Sequence, residues 1–158
     1  MRDMPRVMTF SHLRRALCML CIVLAWRPAF AVTVLDLAAF HGQVVYVDFW
    51  ASWCTPCLES FPWMNRLQEK FGRDGLVVIA VNVDHEQAAA DRFLKQHAAH
   101  FQVIFDPDGL AAQKFDVRRM PTSLLVDRNG EVRLRHEGFR LADRESLEQQ
   151  VRAFIHAQ

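Results

Sequence analysis

Val44-Val45-Tyr46-Val47-Asp48-Phe49-Trp50-Ala51-Ser52-Trp53-Cys54-Thr55-Pro56-Cys57 is the stretch that decides how this chain folds. Its first seven residues are nearly all apolar, as in a strand buried on both faces. Beyond Cys57, Leu58, Phe61, Met64, Leu67 and Phe71 recur at helical spacing and form one face. Pro56 falls in the first helical turn, where a missing N–H costs little. The Cys-x-x-Cys therefore lies between a strand and a helix, a context that reads as a redox pair and not as a zinc half-site. At a helix N-terminus, unpaired N–H groups and the helix dipole favour a thiolate at Cys54. The thiolate is the nucleophile of disulfide exchange.

Outward from this stretch the pattern alternates strands with helices. Val32 to Leu37 reads as a short edge strand, and His41-Gly42-Gln43 as a turn. Pro62 predicts a kink in the first helix. Leu76 to Val83 reads as a second buried strand. Asp84 and Gln87 match a capping box for a helix over Glu86 to His97. Phe101 to Phe105 is a short strand, Asp106-Pro107-Asp108-Gly109 a turn, and Leu110 to Phe115 one or two helical turns. Ser123 to Asp127 and Val132 to His136 form a hairpin through Arg128-Asn129-Gly130. Asp143 caps a last helix with Leu147, Val151, Phe154 and Ile155 on one face. The expectation is an α/β fold with a mixed central sheet and helices on both faces.

The chain has 158 residues, 51% apolar and 23% charged, with a net charge of +1. These values suit one globular domain and argue against a nucleic-acid partner. The charge is uneven. Residues 1–31 hold Arg2, Arg6, Arg14, Arg15 and Arg27 against Asp3 alone, so the remainder is net acidic. Arg14-Arg15, the apolar run Ala16 to Trp26 and the small-x-small Ala29-Phe30-Ala31 match an export signal. An uncleaved N-terminal anchor is the rival reading. The expected organisation is residues 1–31 as signal or anchor and 32–158 as one domain. Cys18-Met19-Leu20-Cys21 is a second Cys-x-x-Cys, but it lies within the apolar run with no strand before it, and neither thiol is assigned a function. An exported chain with a single helix-borne cysteine pair is not a disulfide scaffold.

Together these motifs resemble the thioredoxin superfamily, and within it the exported TlpA/ResA-type thiol–disulfide oxidoreductases. The likeness rests on Val47 to Cys57, Ala80-Val81-Asn82-Val83-Asp84, Phe105-Asp106-Pro107-Asp108-Gly109, Met120-Pro121-Thr122-Ser123 and Leu125-Val126-Asp127-Arg128-Asn129-Gly130. It covers about Asp36 to Ile155. The resemblance implies a thioredoxin-like fold with Cys54 as attacking thiol and Cys57 as resolving thiol. It implies a cis Pro121 beside the pair, and a Met120 backbone that receives an extended substrate segment. Trp53, Met120 and Pro121 would face the substrate. Asp48 matches a buried carboxylate that exchanges a proton with the resolving thiol, its pKa raised by burial. Many TlpA/ResA relatives carry a glutamate three residues after the second cysteine. Here Ser60 stands there, and Glu59, one residue earlier, is rotated by about 100° around the helix.

The resemblance implies reduction of protein disulfides in the periplasm, in cytochrome c maturation or redox homeostasis. It implies a membrane thiol electron donor and no metal or organic cofactor. Two rivals stand beside this reading. One is a copper-binding thioredoxin-like protein using Cys54 and Cys57, against which stands the lack of an evident nearby histidine or methionine ligand, although the fold could bring Met120 close. The other is a peroxiredoxin-type peroxidase, against which stands the lack of a lone peroxide-attacking cysteine in its own loop. The seven histidines, His97 and His100 among them, read as solvated surface residues, and Asp106 and Asp108 as turn formers.

Overall fold

Seven consecutive buried residues, Val44–Trp50, form the central strand β1. The computed structural model describes residues 35–157. The expected export segment, Cys18 and Cys21 and residues 32–34 of the expected edge strand lie outside them. β1 is followed by helix α1 (Thr55–Phe71), β2 (Leu76–Asn82), α2 (Gln87–Gln96), β3 (Gln102–Phe105), α3 (Leu110–Lys114), β4 (Thr122–Val126), β5 (Val132–Glu137) and α4 (Arg144–His156). The sheet order is β3-β2-β1-β4-β5. β1 runs parallel to β2 from Val44↔Leu76 to Trp50↔Asn82, and β2 parallel to β3. β4 runs antiparallel to β1, with Asp48 opposite Ser123, and β5 antiparallel to β4, with Ser123 opposite His136. This is the expected thioredoxin-like α/β fold: α1 and α2 serve as crossovers between parallel strands, and the hairpin adds the antiparallel edge.

Strand alternation divides the core in two. Val44, Tyr46, Trp50, Val78, Ala80 and Leu125 pack under α1, α2 and α4. Val45, Val47, Phe49, Ile79, Val81, Leu124 and Val126 form the other face with Leu35 and with Ala111 of α3. On the first face, Trp50, Phe61 and Phe93 meet with ring centroids 4.7–4.9 Å apart, and Phe101 stands 5.4 Å from Phe61. Each such aromatic pair contributes about 0.5–1.5 kcal/mol beyond its buried area. This cluster pins α1 and α2 to the C-terminal end of β1.

Four local expectations are corrected. Leu35 to Leu37 is not strand: the Asp36 carboxylate accepts from the Ala38 N–H at 3.0 Å and starts a 3₁₀ turn over Leu37–Phe40. The capping box does not form, because α2 starts after Glu86 and Asp84 is bonded elsewhere. Asp143 stands at the N-cap of α4 but makes no bond to its amides; it holds Arg140 at 2.9 and 3.1 Å. Finally, α1 runs unbroken through Pro62, which lies on its exposed side, where solvent can serve the carbonyl left without an amide partner.

Candidate active site

The Cys54–Cys57 pair sits where β1 gives way to α1. After Trp50 the chain turns through Ala51, Ser52 and Trp53, and the Cys54 N–H bonds back to the Ala51 carbonyl at 3.1 Å. Cys54 is the N-cap of α1 with an extended backbone, and Thr55-Pro56 opens the first turn. The two residues are joined as a disulfide with their Cα atoms 5.3 Å apart. Cys54 is 4% exposed and Cys57 0%, so only the first sulfur's residue reaches solvent, on the helix N-terminal side.

The loop ahead of the disulfide is held by a residue that reading of the sequence assigned elsewhere. Buried Asp84, at the end of the β2 segment, accepts from the Ser52 N–H at 2.9 Å, the Ser52 hydroxyl at 3.0 Å and the Asn82 amide at 2.8 Å. Both carboxylate oxygens are thus occupied. Thirty-two residues separate Ser52 from Asp84, so no local pattern announces the pair; the adjacency of β1 and β2 creates it.

Asp48 lies on the same face of β1 as Tyr46 and Trp50, beneath α1, and is 1% exposed. One oxygen accepts from the Ser123 hydroxyl at 2.7 Å, while the other, Oδ2, has no partner. Burial pushes the Asp48 pKa up to about 7, and the Ser123 bond opposes that rise. Tyr46 is pushed well above the usual phenol range by burial first and by the nearby Asp48 charge second. Ser60, in the position where many TlpA/ResA relatives have glutamate, is buried and donates to the Cys57 carbonyl at 3.1 Å.

The Met120–Pro121 bond is cis. Pro121 is buried and immediately precedes β4, whose Thr122 stands opposite Phe49 near the end of β1. Met120 packs against both halves of the core. Trp53 is 70% exposed, a rim residue, whereas Trp50 is fully buried. Beside this rim, Ser52, Leu58, Arg92, Phe93, Gln96 and His97 line an open groove of about 390 Å³ between the start of α1 and α2.

A family model described as Redoxin matches residues 31–151. The chain belongs to the Redoxin family. Among relatives of this Redoxin-family chain, a thiol-disulfide oxidoreductase ResA of Bacillus thuringiensis subsp. konkukian is 36% identical over 110 residues, covering 66% of this chain and 64% of the relative. The ResA of Bacillus subtilis is 33% identical over 98 residues, covering 62% of this chain and 55% of the relative. The chain thus spans less than two thirds of the length of these relatives. A Chlorobium tepidum structure, provisionally assigned as the thiol:disulfide interchange protein DsbE, is 52% identical, with a TM-score of 0.75 over 77% of this chain and 86% of that one. The exposed lipoprotein thioredoxin Etrx1 of Streptococcus pneumoniae is 28% identical, with a TM-score of 0.66 over 74% of this chain and 89% of that one. These matches bear out the thioredoxin-superfamily, TlpA/ResA-type resemblance carried by the motifs.

Cys54, Cys57 and Asp48 therefore share one face of the sheet, and Pro121 lies at the same end of β1. Two residues near this Redoxin site escaped the reading of the sequence. Ser123 reads as part of the cis-proline motif and the start of a strand, and Asp84 as part of a family motif and a helix cap, with no site role given to either. The one available signal was polarity inside apolar segments: Ser123 in Ser-Leu-Leu-Val, and Asn82 and Asp84 after Val-Ile-Ala-Val.

Proposed function

We propose that this protein catalyses dithiol–disulfide exchange and works in the reducing direction on protein disulfides. The Cys54 thiolate attacks a substrate disulfide; that bond breaks and a mixed disulfide forms. Cys57 gives its proton to Asp48, and its thiolate then attacks the Cys54 sulfur. The substrate leaves as a dithiol, and the protein is oxidised by two electrons to the Cys54–Cys57 disulfide. A second dithiol protein, a membrane thiol donor, resets it. Trp53, Met120 and Pro121 would border the bound substrate segment. No metal or organic group enters the scheme.

One observation carries this reading: the disulfide caps a seventeen-residue helix directly after β1, on the face where buried Asp48 keeps one oxygen free. Helix dipole and free amides stabilise the Cys54 thiolate. A carboxyl with a pKa of about 7 can both take and return a thiol proton near neutral pH. The basic, apolar N-terminus supports export to the periplasm, with residues 1–31 as signal or anchor and 32–158 as the working domain. Among the described residues no helix is long and apolar enough to cross a membrane. The family resemblance points to cytochrome c maturation or general redox homeostasis as the setting.

The test is direct. With dithiothreitol supplied, the purified protein should cleave the interchain disulfides of insulin. Cys57→Ser should accumulate mixed disulfides with client proteins, and Cys54→Ser should not. Loss of insulin cleavage together with failure to oxidise a reduced peptide would remove the reading; trapping by Cys54→Ser instead would exchange the two thiols.

A further inference from the structure

Resting on that reading, a question remains about the proton that reaches Asp48. Cys57 and Asp48 are both sealed from solvent. Ser60 already donates to a carbonyl and offers no acid on the helix side. Asp84 has both oxygens occupied. Of the polar neighbours along β1, Trp50 offers only an N–H donor, and the Tyr46 phenol is held protonated. Ser123 is the side chain hydrogen-bonded to Asp48, at 2.7 Å, and its hydroxyl can both accept and donate.

The sheet register continues past it. Asp48 on β1, Ser123 on β4 and His136 on β5 are directly opposite one another in two successive strand pairs. All three lie on the α1/α4 face, as do Leu125 and Leu134 two residues along. The neighbours of His136 in β5 alternate away: Glu137 pairs with Arg119, Arg133 with Asp127, and Arg135 bonds the Phe115 and Asp116 carbonyls. Facing the imidazole instead is Asp143, whose carboxylate stands 3.6 Å from Nε2 and is bonded to Arg140. The Nε2 atom is buried and has no hydrogen-bond partner. Among the described residues, the other unpartnered buried side-chain polar atoms belong to Tyr46, Asp48 and Trp50, on the same face. Unpaired buried groups carry a desolvation cost, and their concentration on one face calls for a reason.

We propose that Asp48, Ser123 and His136 form a proton path across the sheet, with His136, backed by Asp143, as a positioning residue for the resolving step. The proton taken from Cys57 moves from Asp48 to the Ser123 oxygen as the hydroxyl proton moves on, through one bridging water, to the imidazole. His136 then releases a proton to solvent at the partly exposed Asp143 end. No electrons move in this path. Opposed side chains stand about 4.5–5.5 Å apart at Cβ, a span that one water bridges.

The experiment uses the wild-type protein and His136→Gln, which removes the imidazole at similar polarity. Two quantities are read: the pH profile of single-turnover reduction of a peptide disulfide, and the Asp48 carboxyl titration by carbon NMR in the reduced protein. The rate should fall about tenfold at pH 7 in His136→Gln. Two strand spacings place the groups roughly 10 Å apart, so the Asp48 midpoint should move by up to about one pH unit. Profile and midpoint superimposable on wild type would overturn the path. If His136→Gln does not fold, Asp143→Asn, at a partly exposed site, carries the same decision through the same two readouts. If wild type exchanges no disulfides, the proposed function falls, yet the Asp48 midpoint in the variants still decides the coupling.

Discussion

The two faces of the sheet are built to different rules. On the face holding Val45, Val47, Phe49, Ile79, Val81, Leu124 and Val126, every core position is apolar, and nearby buried polar groups are bonded: the Thr122 hydroxyl to the Arg119 carbonyl, and Asp106 to the Ala111 and Ala112 amides. The face under α1 holds Asp48 and Ser123 in its core, and all four unpartnered buried polar atoms among the described residues lie on it. The same strand supplies both faces, one residue apart. One face serves only stability. The other gives some up by leaving one Asp48 oxygen unbonded, as the proton exchange proposed for this carboxyl requires.

This contrast can be broken by experiment. The largest effect should come from giving the apolar face what the other tolerates. Val47→Asp places a carboxylate among apolar neighbours without a serine opposite it, and should cost more than about 4 kcal/mol, enough to prevent folding. A urea midpoint near wild type would show that the faces are equivalent. Phe61→Ala, which empties the aromatic cluster anchoring α1, should cost about 3–5 kcal/mol in the same titration.

Asp48→Asn should act in the opposite direction. With its pKa raised from 3.8 to about 7, folded Asp48 holds its proton where unfolded Asp48 has lost it, so its contribution to stability falls as pH rises between those values. The variant should therefore match wild type near pH 3 and exceed it at pH 8 by about 4 kcal/mol, while slowing exchange. Equal stability at both pH values would mean that the carboxyl carries no burial penalty. Ser123→Ala removes a bond that lowers the Asp48 pKa, so the NMR midpoint should rise above the wild-type value, at a stability cost of about 1 kcal/mol. A falling midpoint would reverse the role given to the hydroxyl.

Much of this was legible in the chain. An all-apolar seven-residue run, a Cys-x-x-Cys and a helical apolar stripe place β1, the dithiol and α1 in order, because strand, cap and helix preferences act over a few residues. The Arg128-Asn129-Gly130 turn likewise declares the hairpin, with Gly130 at φ 83° and Asp127 accepting from the Asn129 and Glu131 amides. Local rules failed where a side chain had a better distant partner. Asp84 looked like a helix cap, yet it holds Ser52 from the neighbouring strand's loop, and Asp143 prefers Arg140 to the amides of α4.

By itself, then, the sequence determined the kind of chemistry: two thiols at the start of a helix, and a carboxylate in the strand before them. Only the tertiary structure decided how that carboxylate is tuned. The pairing of β1 with β4 sets Ser123 on one oxygen of Asp48, the packing of α1 excludes water from the other, and β5 extends the row to His136. Pairing across strands brings together residues seventy-five apart in the chain, and such contacts leave no trace in local periodicity.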